Sequence, residues 1–215
     1  MLSSYYTVKR PARHTLVIQK SRFIATVTRA ENEQDAQSFI NGIKKENQDA
    51  NHNCSAYMIG EHDDIQKAND DGEPNGTAGV PMLEVLKKRN LKDTVVVVTR
   101  YFGGIKLGAG GLIRAYGTAV TEGLNEAGIV RCDLMKIVTI TIDYTWLGKI
   151  ENELRTAGYE IKQIDYLGQV EITVYVPEAQ KDRFAEWMTN LTSGQGQIIE
   201  NGTTYLEKDV GTGNG

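Results

Sequence analysis

The sequence is poor in cysteine, proline and histidine: 2, 4 and 3 residues among 215. Two cysteines, Cys54 and Cys132, build neither a disulfide framework nor a zinc cage. No apolar run approaches the roughly 18 residues of a membrane span. The N-terminal stretch MLSSYYTVKRPARH has no apolar h-region, which argues against export by a signal peptide. Gly-x-Ser-x-Gly and His-Glu-x-x-His are absent, and no catalytic nucleophile can be named. What remains has ordinary globular composition, 40% hydrophobic and 24% charged, with enough apolar material for a core. A cytoplasmic protein without a membrane partner is expected.

The net charge of −4 is unevenly placed: +1 through residue 134 and −5 beyond it. A mildly acidic chain does not favour nucleic acid overall, although a local basic patch still binds phosphate.

Periodicity predicts strands over 14–20 and 21–29 with a turn near Lys20-Ser21, a helix over 33–49 and a strand over 54–59. Residues 61–79 show no sustained period and are predicted to be loop. A short helix over 81–89 has Pro81 near its first turn, where a missing N–H is tolerated. The run TVVVVT at 94–99 predicts a strand buried on both faces, and 112–127 a helix that Gly128 ends. From Lys136 the predicted order is strand 136–144, helix 147–157, strands 159–167 and 169–176, helix 177–191 and strand 198–206. This β-α-β-β-α-β order is that of a ferredoxin-like domain. The predicted domains are 1–134 and 135–209, with a disordered tail at 210–215.

The segment 100–114, RYFGGIKLGAGGLIR, joins the buried strand to a helix. Gly103, Gly104, Gly108, Gly110 and Gly111 permit close backbone approach, and the helix start offers unpaired N–H groups to an anion. Arg100, Lys106 and Arg114 add positive charge, and Tyr101 and Phe102 could stack on bases. The stretch is neither a P-loop nor a Rossmann turn, since no Gly precedes Lys-Ser or Lys-Thr and Ile113 stands where the third Rossmann glycine would be.

The second constellation is NDDGEPNGTAG, 69–79, where Asp70, Asp71, Glu73, Asn75 and Thr77 form a possible binding loop together with His52. It is not an EF-hand: with Gly72 sixth, Lys67 is first and Ala78 twelfth. Cys54 reads as a small buried hydrophobe and His52 as a strand cap. No metal site and no cofactor are expected; Mg²⁺ enters only under an alternative reading, a Mg-dependent enzyme acting on a phosphorylated small molecule or nucleotide.

Asp70-Asp71-Gly72-Glu73-Pro74-Asn75-Gly76-Thr77-Ala78-Gly79, then Arg100 to Gly108, then Gly110-Gly111-Leu112-Ile113-Arg114-Ala115-Tyr116, resemble the motifs of the IMPACT/YigZ family, with His52 and Ser21-Arg22-Phe23-Ile24 also fitting. The second domain resembles the small C-terminal domain of bacterial members. The resemblance implies an α+β protein: a ribosomal protein S5 domain 2-like α/β two-layer sandwich followed by a ferredoxin-like βαββαβ domain. It also implies regulation of translation, with RNA, the ribosome or a translation factor as partner, or a protein partner alone, and no sequence readout on DNA. Eukaryotic members interfere with an amino-acid-starvation kinase through an extra N-terminal module. This sequence begins with the S5-like segment, so that connection is not expected to transfer.

Overall fold

Ten strands and five α-helices form within residues 1–210, which are the residues described by this computed structural model. The tail expected to be disordered lies, apart from Val210, outside the described residues. The chain divides into two units, one of Tyr5–Cys132 with the chain from Lys208, the other of Met1–Ser4 with Asp133–Glu207. No described helix is long and apolar enough to cross a membrane.

The larger unit contains β1 (Ser4–Val8), β2 (Ala12–Ile18), β3 (Ser21–Arg29), α1 (Glu33–Glu46), β4 (His52–Ile59), β5 (Ile65–Asn69), α2 (Gly79–Lys88), β6 (Thr94–Tyr101) and α3 (Gly108–Ala127). Its sheet runs β2-β3-β6-β4-β5 with each neighbouring pair antiparallel. The valine run makes β6 the central strand because each of its faces meets a helix layer. Val96 and Val98 pack with Phe23, Ala25, Cys54 and Met58 beneath α2 and α3. Val95 and Val97 pack with Tyr57 and Ile59 beneath Ala36, Ile40 and Ile43 of α1. Burying each of the Val, Ile, Phe and Met side chains among these stabilises the fold by about 1.5–3 kcal/mol.

The hairpin joining β2 to β3 turns at Gln19 and Lys20, both at positive φ (44° and 65°), one residue earlier than predicted. That is the backbone of a two-residue primed turn, built here without glycine.

The segment 61–79 corrects the sequence expectation, because it contains β5, paired in register from Ser55–Asn69 to Ile59–Ile65. The edge strand IQKAN has four exposed residues out of five, so no apolar alternation announces it. Helix α3 begins at Gly108, four residues earlier than predicted. Glycine is a poor helix former, but N–H groups of a first turn have no intrahelical partner in any sequence, and Gly108 has φ +71°.

The smaller unit is built from β7 (Ile129–Ile142), which begins in the larger unit, α4 (Leu147–Thr156), β8 (Glu160–Tyr166), β9 (Val170–Pro177), α5 (Lys181–Leu191) and β10 (Gln197–Asp209). β7 pairs with β9 and β9 with β8, both antiparallel, while β10 and β1 also pair with β7. Alternate residues Val170, Ile172, Val174 and Val176 face Ile150, Leu154, Phe184 and Met188 of the two helices. The arrangement is the ferredoxin-like one expected from the order of elements.

The chain ends are exchanged between the units. Leu134 N–H donates to Ser3 O at 2.9 Å and Tyr205 Oη–H to Leu2 O at 2.9 Å in the smaller unit. In the larger one, Val210 N–H donates to Ile129 O at 3.2 Å and Lys9 pairs with Asp209 at 2.7 Å.

Candidate functional site

The acidic loop is held together by its own carboxylates. Asp70 follows β5 and accepts the backbone N–H groups of Gly76 (2.8 Å), Ala78 (3.0 Å) and Gly79 (2.8 Å). It thereby caps α2, whose N-cap residue Ala78 has no side-chain acceptor. Burial alone would raise the Asp70 carboxyl, but the three N–H groups outweigh it and hold it below the ordinary value. Asp71 sits at φ +45°, pairs with Lys44 at 2.6 Å and accepts the Asn53 N–H at 2.7 Å. Those donors likewise overcome burial and lower its carboxyl. Gly79 is required, because a Cβ there would lie 2.5 Å from Asn69 N.

Glu73 is the hinge between this loop and the glycine-rich stretch. Its Oε1 accepts from Arg100 Nη1 and from the Tyr116 hydroxyl, both at 2.7 Å. Its Oε2 lies 3.8 Å from His52 Nε2. His52 Nδ1 is 2.9 Å from Asp71 O, a contact that requires Nδ1 to carry the proton. The Thr77 hydroxyl donates to Pro74 O at 2.6 Å, whereas Asn75 is exposed. Cys54 contacts Asp70 O at 3.0 Å and the Tyr116 hydroxyl at 3.3 Å. Burial pushes its thiol up to about 12, so it stays protonated and is no nucleophile at neutral pH. Burial, with Cys54 and Glu73 adding to it, also raises Tyr116, which remains a donor.

The structure takes Arg100 away from the surface. It follows Val96 and Val98 on the same side of β6, so strand alternation aims it at the α2–α3 layer. Arg100 is 5% exposed, and its guanidinium lies 5.2 Å from the Phe23 ring centroid and 5.5 Å from that of Phe102. Nη2 reaches Ser21 Oγ at 3.4 Å, while Nε is buried with no hydrogen-bond partner. A guanidinium so enclosed and paired with Glu73 is not available to an external phosphate. Asp70, Asp71, Glu73 and Thr77 likewise have polar atoms engaged within the protein. Among the described residues no three His, Cys, Asp or Glu side chains converge as metal ligands.

Most of the remaining glycine-rich stretch is at the surface, with Gly103, Leu107 and Gly111 half-buried and Leu112 in the core. Phe102 is 45% exposed, and Gly104, Ile105, Lys106, Gly108, Ala109, Gly110, Ile113 and Arg114 are exposed with it. A Cβ on Gly104 or Gly108 would meet open space, but both have positive φ (85° and 71°), so glycine serves conformation there. Gly103 serves close approach: its Cβ would lie 2.0 Å from the Lys20 carbonyl carbon. Phe102 N–H donates to Asn51 Oδ1 at 2.8 Å and Gly103 N–H to Ser21 Oγ at 3.2 Å, which fixes where the segment leaves β6. Helix α3 starts without a side-chain cap and without an acidic residue in its first turn. Arg114 folds back toward that turn, its Nη1 being 3.7 Å from where a Gly110 Cβ would stand. Tyr101 points to the opposite face of the sheet from Arg100, beneath the Arg22 guanidinium at 4.4 Å. Sequence reasoning missed Ser21, Cys54 and Tyr116 as members of the Glu73 network. The two-residue period of β6 was the one signal that could have placed Arg100 inside.

A family model described as the Impact N-terminal domain matches residues 19–124, and one described as a domain of unknown function, DUF1949, matches 140–195. Together they define a class of two-domain α/β protein, here with one five-stranded sheet in each unit. "IMPACT family member YvyE" of Bacillus subtilis (strain 168) is 63% identical, over 98% of this chain and 97% of its own. "IMPACT family member YigZ" of Escherichia coli (strain K12) is 35% identical, over 85% and 90% respectively. A solved structure described as "Crystal structure of an hypothetical protein" superposes with a TM-score of 0.60 at 33% identity, covering 94% of this chain and all of that one. The chain belongs to the IMPACT family.

Proposed function

We propose that this protein is a cytoplasmic, non-enzymatic binding protein that regulates translation by contacting RNA, free or in the ribosome, through segment 102–114. The carrying observation is that α3 presents an exposed, uncapped N-terminus with no acid in its first turn, flanked by exposed Lys106, Arg114 and Phe102. Unpaired N–H groups and two cations attract phosphate, and an exposed ring offers a base a stacking partner. Arg100 acts from beneath, through its contact with the Phe102 ring, and Gly103 lets the segment seat against the β2–β3 turn. The neighbouring carboxylates Asp70, Asp71 and Glu73 are neutralised or enclosed, so they do not repel the phosphate. Neither metal nor cofactor takes part.

Anisotropy of a labelled unstructured RNA, titrated at several salt concentrations, tests this. Binding should weaken steeply with salt, by about 0.7 in the log–log slope per phosphate contact on a single strand. Lys106→Glu with Arg114→Glu should weaken it tenfold or more without changing the melting temperature by more than a degree or two. Salt-independent binding, or an unchanged Kd in the double variant, refutes the proposal.

A further inference from the structure

Among the described residues, helix α1 packs over β4 and β6 and makes at most slight contact with the β2–β3 half of the same sheet face. The register places Val17, Arg22 and Tyr101 side by side across β2, β3 and β6. Thr15, Ile24 and Thr99 form the next row on that face, and Arg13, Thr26 and Val97 the row after it. Arg13, Thr15, Val17 and Arg22 are exposed, Val17 to 66%.

The cationic side chains on this half are held in place. Arg22 lies over the Tyr101 ring, whose hydroxyl is shared between Asn47 Oδ1 at 3.3 Å and Asp49 Oδ1 at 3.1 Å. Arg13 Nη2 donates to the same Asn47 oxygen at 3.4 Å. Asn47 is itself buried and fixed by donating to Ile43 O at 2.9 Å. Lys20 stands at the turn that Gly103 touches, so this row and segment 102–104 share one end of the sheet. Asp49 stands at the Arg22–Tyr101 stack, where it accepts from the Tyr101 hydroxyl, and Glu46 on the last turn of α1 is exposed.

We propose that this open half-sheet is a platform for single-stranded RNA that extends the contact made by segment 102–114. Arg22 and Arg13 stand on rungs four residues apart, about 13 Å along the strands, and meet successive parts of the phosphate backbone. The flat Arg22 guanidinium, braced from below by Tyr101, stacks on an unpaired base. The chemistry is that of a single strand because a duplex hides the base faces such a stack needs. The inference rests on the RNA-binding reading above, and its test separates the two.

Arg13→Gln and Arg22→Gln, singly and together, remove charge from exposed positions and should leave thermal melting unchanged. The double variant should bind the labelled single strand about tenfold more weakly and lower its log–log salt slope by about 1.4, two contacts' worth. An unchanged slope and Kd in this variant, while Lys106→Glu with Arg114→Glu still loses binding, overturns the platform and leaves the function standing. Absence of RNA binding by the unmodified protein overturns both. Equal affinity for a blunt RNA duplex overturns the single-strand assignment.

Discussion

Replacing Glu73 by Gln keeps the shape of the side chain and an oxygen for the Tyr116 hydroxyl, and it removes only the charge. Arg100 would then sit 95% buried opposite a neutral amide, with its Nε already unpaired. Guanidinium cannot escape by losing a proton, so the full desolvation of the cation falls on the folded state. Breaking a buried pair from one side costs about 3–5 kcal/mol, and the retained amide hydrogen bonds put Glu73→Gln near 3. For a chain of this size, 1 kcal/mol moves the melting temperature by about 2–4 °C, so circular dichroism should report a fall of about 6–12 °C. Arg100→Met should cost less, because the carboxyl left behind still accepts from the Tyr116 hydroxyl. The double variant, Glu73→Gln with Arg100→Met, should be more stable than the sum of the single losses by more than about 1 kcal/mol. A Glu73→Gln protein that melts within two degrees of the unmodified one, or strict additivity in the double variant, refutes the account of this pair as the joint between the acidic loop and β6.

Gly103→Ala places a Cβ 2.0 Å from the Lys20 carbonyl carbon, so either the hairpin or the segment must shift. Urea titration should show a loss of about 1–3 kcal/mol, and RNA affinity should fall with it. Asp70 has a folded-state carboxyl held below its ordinary 3.8, so it favours folding above that value, and the contribution is lost as pH falls through it toward the depressed one. Asp70→Asn should flatten that acid limb in melting curves taken from pH 5 downward, and an unchanged limb would show that the three N–H donors do not act on this carboxylate.

The parts of the fold legible in the sequence are those in which apolar burial and periodicity coincide. The β6 valines and the alternation of β9 are examples, and both place a strand where the structure has one. β5 was invisible because an edge strand of mostly exposed side chains is held by backbone hydrogen bonds, which leave no mark on composition. The start of α3 was hidden for a related reason, since its first turn consists of glycine and alanine whose helical state follows from what comes after. At the site, residue identity located the two stretches that meet at Glu73, but roles were assigned by depth. Arg100 and Arg114 look alike as letters, and one lies under two aromatic rings while the other lies in solvent.

The exchange of chain ends has a consequence for how the molecule is made. Residues 208–210, which pair with Lys9 and Ile129, are the last of the described chain to leave the ribosome, after every residue of the smaller unit. The larger unit can collapse early around its valine strand, yet its perimeter stays open until the residues that follow the smaller unit have been made. Met1–Ser4 wait in the same way for Asp133 onward. A ribosome that stalls within the smaller unit therefore releases a larger unit with an unclosed seam. No single cut of the chain yields two complete halves, and dissection requires a fragment from each end to be supplied in trans.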